Sequence, residues 1–254
     1  MKILVGKNYD RVSEMTANII ATKVKEKPDA VLGLATGGTP KGVYKRLIAM
    51  YNDKKIDFSK VKTFNLDEYY GLSSNHPQSY AYYMKTNFFD YINIKEENAH
   101  IPDGLAQDID EECHRYEQAI KDCGGIDLQL LGIGHNGHIG FNEPDDALHT
   151  STHLVNLHEK TISANSRFFG KDEEVPRQAI TMGIGSIFGA DEIVLIASGE
   201  DKAEIIAKMI NGQLSSKLPA SMLQIHKSLT IIIDEPIQKH LYAEGVLKEQ
   251  LKVV

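Results

Sequence analysis

The stretch AVLGLATGGTP, residues 30–40, joins a strand pattern to a helix pattern through a glycine-containing turn. Residues 30–35 form a nearly continuous apolar run, which is typical of a strand buried on both faces of a sheet. Pro40 stands at a favoured first-turn position, and the helical pattern then continues to residue 51. A buried strand, a tight turn and a helix form the repeating unit of a parallel α/β sheet.

The same alternation of strand and helix patterns extends along the whole chain. Strands are predicted at residues 2–5, 30–35, 61–66, 128–133, 179–182, 193–197 and 229–233. Helices are predicted at residues 9–27, 40–51, 79–91, 110–121 and 201–210. This order predicts one domain over residues 1–254, with a Rossmann-like three-layer α/β/α architecture and a mostly parallel sheet. The least regular stretch, residues 136–176, is expected at the carboxyl ends of the strands, where ligands bind.

Composition and charge narrow the classes of function. The chain has 254 residues, 42% hydrophobic and 25% charged, with a formal net charge of −7. This acidic balance argues against a general nucleic-acid or anionic-membrane partner. The apolar run at residues 3–6 is too short for a signal peptide, and no later run reaches the length of a membrane span. The scarcity of cysteines, Cys113 and Cys123 alone, favours the cytoplasm, with both thiols free.

The turn after the quoted strand carries the chemistry of an anion site. Gly37 and Gly38 allow a sharp turn and a close approach of the backbone to a ligand. Unpaired N–H groups at the following helix start attract anions, and the hydroxyls of Thr36 and Thr39 add donors. Neither a P-loop lysine nor a G-x-G-x-x-G fingerprint is present, which argues against nucleoside triphosphates and dinucleotides. A tight turn without a ligand is the alternative.

Two adjacent carboxylates follow the third predicted strand. Asp67 and Glu68 stand where a buried strand ends, so one of them is expected to project into the ligand crevice. A carboxylate partly removed from water has a raised pKa and can act as a base. The alternative is a helix or turn cap.

A glycine- and histidine-rich loop, LGIGHNGHIGFNEP at residues 131–144, follows the fourth predicted strand. Histidine is the side chain best suited to proton transfer near neutral pH, and Glu143 is able to orient a ring such as that of His138. A metal site of His135, His138 and Glu143 is the alternative. The two histidines are three residues apart on a flexible loop without further ligands at a familiar spacing, so no metal is expected.

Several motifs in one order resemble a known family over nearly the whole chain. They are GLATGGTP (33–40), FNLDEY (64–69), GHIGFNEP (137–144), ANSRFF (164–169) and LQIH (223–226). Together they resemble the glucosamine-6-phosphate deaminases of the glucosamine/galactosamine-6-phosphate isomerase family. The resemblance implies a cofactor-independent conversion of glucosamine 6-phosphate and water to fructose 6-phosphate and ammonia, in the catabolism of N-acetylglucosamine.

The resemblance also implies a role for each matching residue. Asp67 would move a proton from C2 to C1, and His138 would open the pyranose ring with support from Glu143. The phosphate would be bound by one set of residues: Thr36, Gly37, Gly38, Thr39, Arg167 and Lys202. Arg167 belongs to a motif that resembles a mobile lid near residues 160–180.

The chain departs from the family pattern in two places. Asn136 stands where some members have aspartate, so any help it gives to ring opening is by hydrogen bonding. Residues 151–156 lack the arginine and lysine that allosterically activated members carry. We therefore expect no activation by N-acetylglucosamine 6-phosphate.

Three other functions compete with this assignment. A galactosamine-6-phosphate deaminase differs only in reading one epimeric hydroxyl. A 6-phosphogluconolactonase resembles the same loops, but its members tend to have arginine where this chain has Tyr69, and they lack the Asn-Glu-Pro motif. A non-catalytic sugar-phosphate sensor would need no catalytic acid and base. The oligomeric state cannot be read from the sequence, and a homo-oligomer is compatible with it.

Overall fold

The computed structural model describes residues 1–166, 169 and 174–247. Its strands are β1 (Lys2–Gly6), β2 (Val31–Leu34), β3 (Lys62–Asn65), β4 (Asp67–Tyr69), β5 (Ala99–His100), β6 (Leu128–Leu131), β7 (His153–Asn156), β8 (Gln178–Thr181), β9 (Glu192–Ile196) and β10 (Leu229–Asp234). Its α-helices are α1 (Tyr9–Glu26), α2 (Lys41–Asn52), α3 (Tyr80–Asn87), α4 (Ile109–Asp122), α5 (Glu159–Asn165), α6 (Ile184–Phe188), α7 (Ala203–Asn211) and α8 (Glu235–Ala243).

The main sheet has seven parallel strands in the order β1-β10-β9-β6-β2-β3-β5. From β2 the chain winds outward through β3 to β5, and it then returns to the other side of β2 as β6. The strand order therefore reverses between β2 and β6. A crevice opens at such a point, outside the carboxyl ends of the two strands.

Apolar side chains cover both faces of this sheet, as the continuous apolar strand patterns predict. Along β10, Ile231 and Ile233 pack with the helices α4, α6, α7 and α8, whereas Ile232 packs on the opposite face with α1, α2 and α3. Successive residues of a strand point to opposite faces, so a strand covered on both sides is apolar throughout. The predicted single-domain three-layer α/β/α architecture with a mostly parallel sheet is confirmed.

A second, antiparallel sheet of three strands, in the order β4-β8-β7, was not predicted. Only Leu66 separates β3 from β4, so the chain passes directly from one sheet to the other. The strand predicted at residues 179–182 exists as β8, but it belongs to this second sheet. An apolar run specifies burial and not the partner strand, which is why the pattern did not reveal the change of sheet.

Candidate active site

The loops that follow β2, β3 and β6 meet at the reversal of strand order and enclose an open cavity of about 320 Å³. Nine of the ten residues predicted for the site lie in the described ranges. Glu143 lies behind His138, and the other eight line the cavity: Thr36, Gly37, Gly38, Thr39, Asp67, Asn136, His138 and Lys202. Arg167 lies outside the described residues. The predicted anion loop and the predicted proton-transfer residues therefore share one cavity.

The phosphate side of the cavity is formed by the loop between β2 and α2. Gly37 has a φ of +97°, a conformation that L side chains rarely adopt, and a Cβ atom built on it would meet only open space. Among the described residues, the backbone N–H groups of Gly38 and Thr39 have no hydrogen-bond partner. Lys202 approaches from the start of α7, where its Nζ atom donates to the carbonyl of Ile133 at 2.9 Å. Backbone donors and an ammonium group therefore face the same space.

Asp67 is the carboxylate that enters the cavity. It is only 7% exposed, and no described residue donates a hydrogen bond to its carboxylate. Burial, with a smaller effect of the Glu68 charge, raises the pKa of Asp67 from 3.8 to about 8. The chain comes close on the other side, because a Cβ atom on Gly140 would lie 3.6 Å from Asp67 Oδ2. A buried carboxylate without donors favours its protonated form and is a strong base when ionised.

Glu68, the next residue, points to the opposite face of β4 and has a structural role. Its carboxylate accepts hydrogen bonds from the backbone N–H groups of Tyr69, Tyr80 and Ala81, each at 2.8 Å. Burial raises the pKa of Glu68 to about 7, against the lowering effect of these three donors. Of the two interpretations of the acidic pair, Asp67 therefore fits the base and Glu68 fits the helix cap.

Glu143 is equally buried but richly hydrogen-bonded. Its Oε2 atom accepts a bond from Asn136 Nδ2 at 2.5 Å and lies 3.4 Å from His138 Nδ1, while its Oε1 atom accepts a bond from the hydroxyl of Thr161. The His138 contact has the distance of an ion pair without the alignment of a hydrogen bond. Burial raises the pKa of Glu143, but His138, Thr161 and Asn136 outweigh it and lower the pKa to about 2. Glu143 is thus a permanent anion beside His138.

The imidazole of His138 is held by the shape of its own loop. Its ring lies over Gly134, where a Cβ atom would come within 2.3 Å of the ring. The N–H of Gly134 donates to the carbonyl of His138 at 2.9 Å, and His138 N donates to Asn136 Oδ1 at 3.2 Å. Glycine at position 134 therefore gives the ring its place between the loop and Glu143.

His135 does not join this group. Its Nε2 atom pairs with Asp201 Oδ2 at 2.7 Å on an exposed part of the surface. Within the described ranges, no three His, Cys, Asp or Glu side chains come together in a way that would hold a metal ion. His135 and His138 both line the cavity, but they have different carboxylate partners, Asp201 and Glu143.

Two residues of the site were missed by the sequence analysis. Thr161, on α5, is 7% exposed and lines the cavity while it donates to Glu143. Tyr80 lines the cavity with its ring stacked on Phe141 at 6.0 Å between centroids, and burial raises its pKa well above the ordinary value. Thr161 lies in the stretch without regular pattern, and Tyr80 lies in the helix pattern predicted at residues 79–91, so neither had a local signal.

The family model for glucosamine-6-phosphate isomerases/6-phosphogluconolactonase matches residues 7–232. The chain belongs to this family. Among curated members, the glucosamine-6-phosphate deaminase of Thermoanaerobacter sp. (strain X514) is 60% identical over 92% of this chain and 93% of its own length. The glucosamine-6-phosphate deaminase of Clostridium perfringens (strain 13 / Type A) is 54% identical over 95% of this chain and 100% of its own.

Solved structures of the glucosamine-6-phosphate isomerase/6-phosphogluconolactonase family share the fold. A structure described as a monomeric glucosamine-6-phosphate deaminase has a TM-score of 0.91 and 46% identity, and the match covers 94% of this chain and 100% of that one. The 6-phosphogluconolactonase of Thermotoga maritima has a TM-score of 0.71 at 20% identity, covering 92% and 98% of the two chains. The second similarity extends to the fold alone.

Within the described part of this family member, no helix has the length and apolar character that a membrane crossing requires.

Proposed function

We propose that this protein is a glucosamine-6-phosphate deaminase, which converts glucosamine 6-phosphate and water to fructose 6-phosphate and ammonia. One observation carries the proposal: a buried carboxylate without donors, Asp67, shares a cavity with a histidine–carboxylate pair and a loop of open backbone amides. Curated relatives that are 54% to 60% identical over most of the chain carry this name. The reaction needs a base, a ring-opening group and an anion site, and the cavity contains a candidate for each.

Ring opening is assigned to His138. Its imidazole would transfer a proton at the ring oxygen of the sugar, and the Glu143 anion at 3.4 Å from Nδ1 would stabilise the protonated ring. Asn136 would act by hydrogen bonding, since its amide binds Glu143 at 2.5 Å and carries no charge. The product of this step is the open-chain aldehyde with the amino group on C2.

Isomerisation and deamination are assigned to Asp67. Its ionised carboxylate would take the proton from C2 while the C1 oxygen gains a proton, which gives an enolamine. Asp67 would then return its proton to C1 while the amino group loses a proton, which leaves an imine at C2. Water adds to the imine, ammonia leaves, and fructose 6-phosphate is formed. Because Asp67 carries the proton between adjacent carbons, the step requires no metal or redox cofactor.

The phosphate is assigned to the loop after β2. The amides and hydroxyls of residues 36–39 and the ammonium group of Lys202 would bind it, and this local set of donors overcomes the net negative charge of the chain. Arg167, predicted from sequence and outside the described residues, would add a bidentate contact from a lid near residues 160–180. We further propose a cytoplasmic location and no activation by N-acetylglucosamine 6-phosphate.

The direct test is release of ammonia and fructose 6-phosphate from glucosamine 6-phosphate by purified protein in the presence of a metal chelator. Galactosamine 6-phosphate and the lactone of 6-phosphogluconate serve as matched alternative substrates. Turnover of glucosamine 6-phosphate at least ten times faster than that of the other two is expected. Absence of ammonia release from both amino sugars would leave the sensor or the lactonase interpretation, and hydrolysis of the lactone separates those two.

A further inference from the structure

Two tyrosines hold the carbonyl groups of the phosphate loop from outside the cavity. Tyr83 Oη donates to the carbonyl of Gly37 at 2.6 Å. Tyr9 Oη lies 3.2 Å from the carbonyl oxygen of Gly38 and 3.0 Å from that of Thr39, and its proton is shared between them. Neither tyrosine lines the cavity, whereas the three loop residues do. The tyrosines therefore bind the loop on the side away from the ligand space.

The orientation of these carbonyls determines where the loop amides point. The described chain has no cis peptide bond, and in a trans peptide the carbonyl oxygen and the next N–H point in opposite directions. When Tyr83 draws the Gly37 carbonyl outward, the N–H of Gly38 is turned inward. The bond from Tyr9 to the Gly38 carbonyl does the same for the N–H of Thr39. Both of these N–H groups lack partners among the described residues.

We propose that Tyr9 and Tyr83 are positioning residues, which aim the amides of Gly38 and Thr39 at the phosphate group of the substrate. This inference rests on the proposed function and assigns to two side chains the orientation of its anion site. Free loop amides would otherwise rotate toward water or toward each other. Fixing the amides before the phosphate group binds lowers the conformational entropy that the loop loses on binding.

Tyr9 is itself held in place by the packing of α1 against α2. Its hydroxyl accepts a hydrogen bond from the N–H of Gly42 at 2.8 Å, in addition to donating to the loop. A Cβ atom on Gly42 would lie 2.9 Å from Tyr9 Oη and 2.3 Å from Ser13 Oγ, so the close approach requires glycine there. One phenol thus joins the loop to the first turn of the helix that follows it.

Tyr83 is held by the helix that Glu68 caps. The Glu68 carboxylate binds the N–H groups of Tyr80 and Ala81 at the start of α3, the helix that carries Tyr83 one turn later. Burial and the neighbouring Tyr9 raise the pKa of Tyr83, so its hydroxyl keeps the proton that it donates. Of the two adjacent carboxylates, Asp67 therefore lies in the cavity, whereas Glu68 stabilises the helix that carries Tyr83.

The test compares Tyr9→Phe, Tyr83→Phe and the double variant with the wild type. Tyr82→Phe is the matched control, because Tyr82 lies on the same helix and its hydroxyl has no partner within the described residues. Three constants are measured: the Kd of inorganic phosphate by NMR titration, and the KM and kcat for glucosamine 6-phosphate. Each loop variant is expected to raise Kd and KM about five-fold, and the double variant about twenty-fold, with kcat within two-fold. Tyr82→Phe should leave all three constants unchanged.

Three results would overturn the inference: Kd and KM within two-fold of wild type in the double variant, an equal effect of Tyr82→Phe, or a fall in kcat at unchanged KM. The thermal midpoint of each variant is recorded, and Tyr9→Phe, at a residue 39% exposed, keeps the test available if Tyr83→Phe unfolds. If the wild type releases no ammonia, the proposed function fails, but the phosphate titration of the same proteins still decides whether the tyrosines orient an anion loop.

Discussion

Asp67, in the cavity, and Glu143, behind His138, are carboxylates of almost equal solvent exposure, 7% and 5%. The pKa of Asp67 is raised to about 8, whereas that of Glu143 is lowered to about 2. The difference lies in their neighbours. Glu143 has two hydrogen-bond donors and His138 beside it, and Asp67 has no donor among the described residues. The donors and His138 around Glu143 outweigh the effect of its burial, whereas nothing offsets the burial of Asp67.

Replacement of Asp67 by asparagine is expected to have the largest effect. The variant keeps the shape of the side chain but cannot accept the C2 proton, so kcat should fall by about a hundred-fold or more. Substrate binding should change less than about three-fold, because the phosphate contacts lie in another loop. Initial rates of ammonia release and a direct binding titration measure the two quantities. Turnover close to the wild-type value would remove Asp67 from the mechanism.

The pH dependence of kcat/KM should report Asp67 and not Glu143. Asp67 is active as the anion, so kcat/KM is expected to fall about ten-fold per unit as the pH drops below about 8. Glu143 stays ionised at every pH of this range because its pKa is about 2. The acid limb should therefore stay near pH 8 in a Glu143→Gln variant of lower activity. If the acid limb of the profile moves by more than one pH unit in that variant, the roles of titrating base and permanent anion were assigned to the wrong carboxylates.

Thr161, the hydroxyl donor to Glu143 that no sequence motif revealed, should have a smaller effect. Thr161→Val removes the hydroxyl that binds Glu143 and preserves the shape of the side chain, so kcat should fall about five-fold at unchanged KM. Thr161→Ser, which keeps the hydroxyl, is the control and should stay within two-fold of wild type. In a Glu143→Gln background, Thr161→Val should have almost no further effect, because both changes act on one contact. Full multiplication of the two effects would mean that Thr161 acts elsewhere.

The sequence predicted which residues line the cavity better than it predicted the hydrogen bonds that hold them. Asp67 and His138 were found because each follows a buried strand, and parallel strands bring their carboxyl ends to one edge. Thr161 and Tyr9 were missed because each bonds to a residue at least 18 positions away, through a contact that no local pattern specifies. The second sheet was missed for the same reason, since the partner of β8 depends on tertiary packing. Strand ends are local signals, and hydrogen-bond partners are not.

The pH dependence of thermal stability should have opposite signs for the two carboxylates. The folded pKa of Asp67, about 8, lies above its ordinary 3.8, so its contribution to stability is present at low pH and is lost as the pH rises through 8. The folded pKa of Glu143, about 2, lies below its ordinary 4.5, so its contribution is present above pH 4.5 and is lost as the pH falls toward 2.

The thermal midpoint of Asp67→Asn, measured relative to wild type by calorimetry, should therefore rise by about 8 °C between pH 5 and pH 8. Glu143→Gln should lower the midpoint by a similar amount at pH 8 and by less at pH 4, where the wild-type advantage begins to fade. Both variants are neutral amides of the same shape as the side chains they replace, so each serves as the control for the other. Shifts of equal sign in the two variants would mean that burial alone, and not the presence of donors, governs both groups.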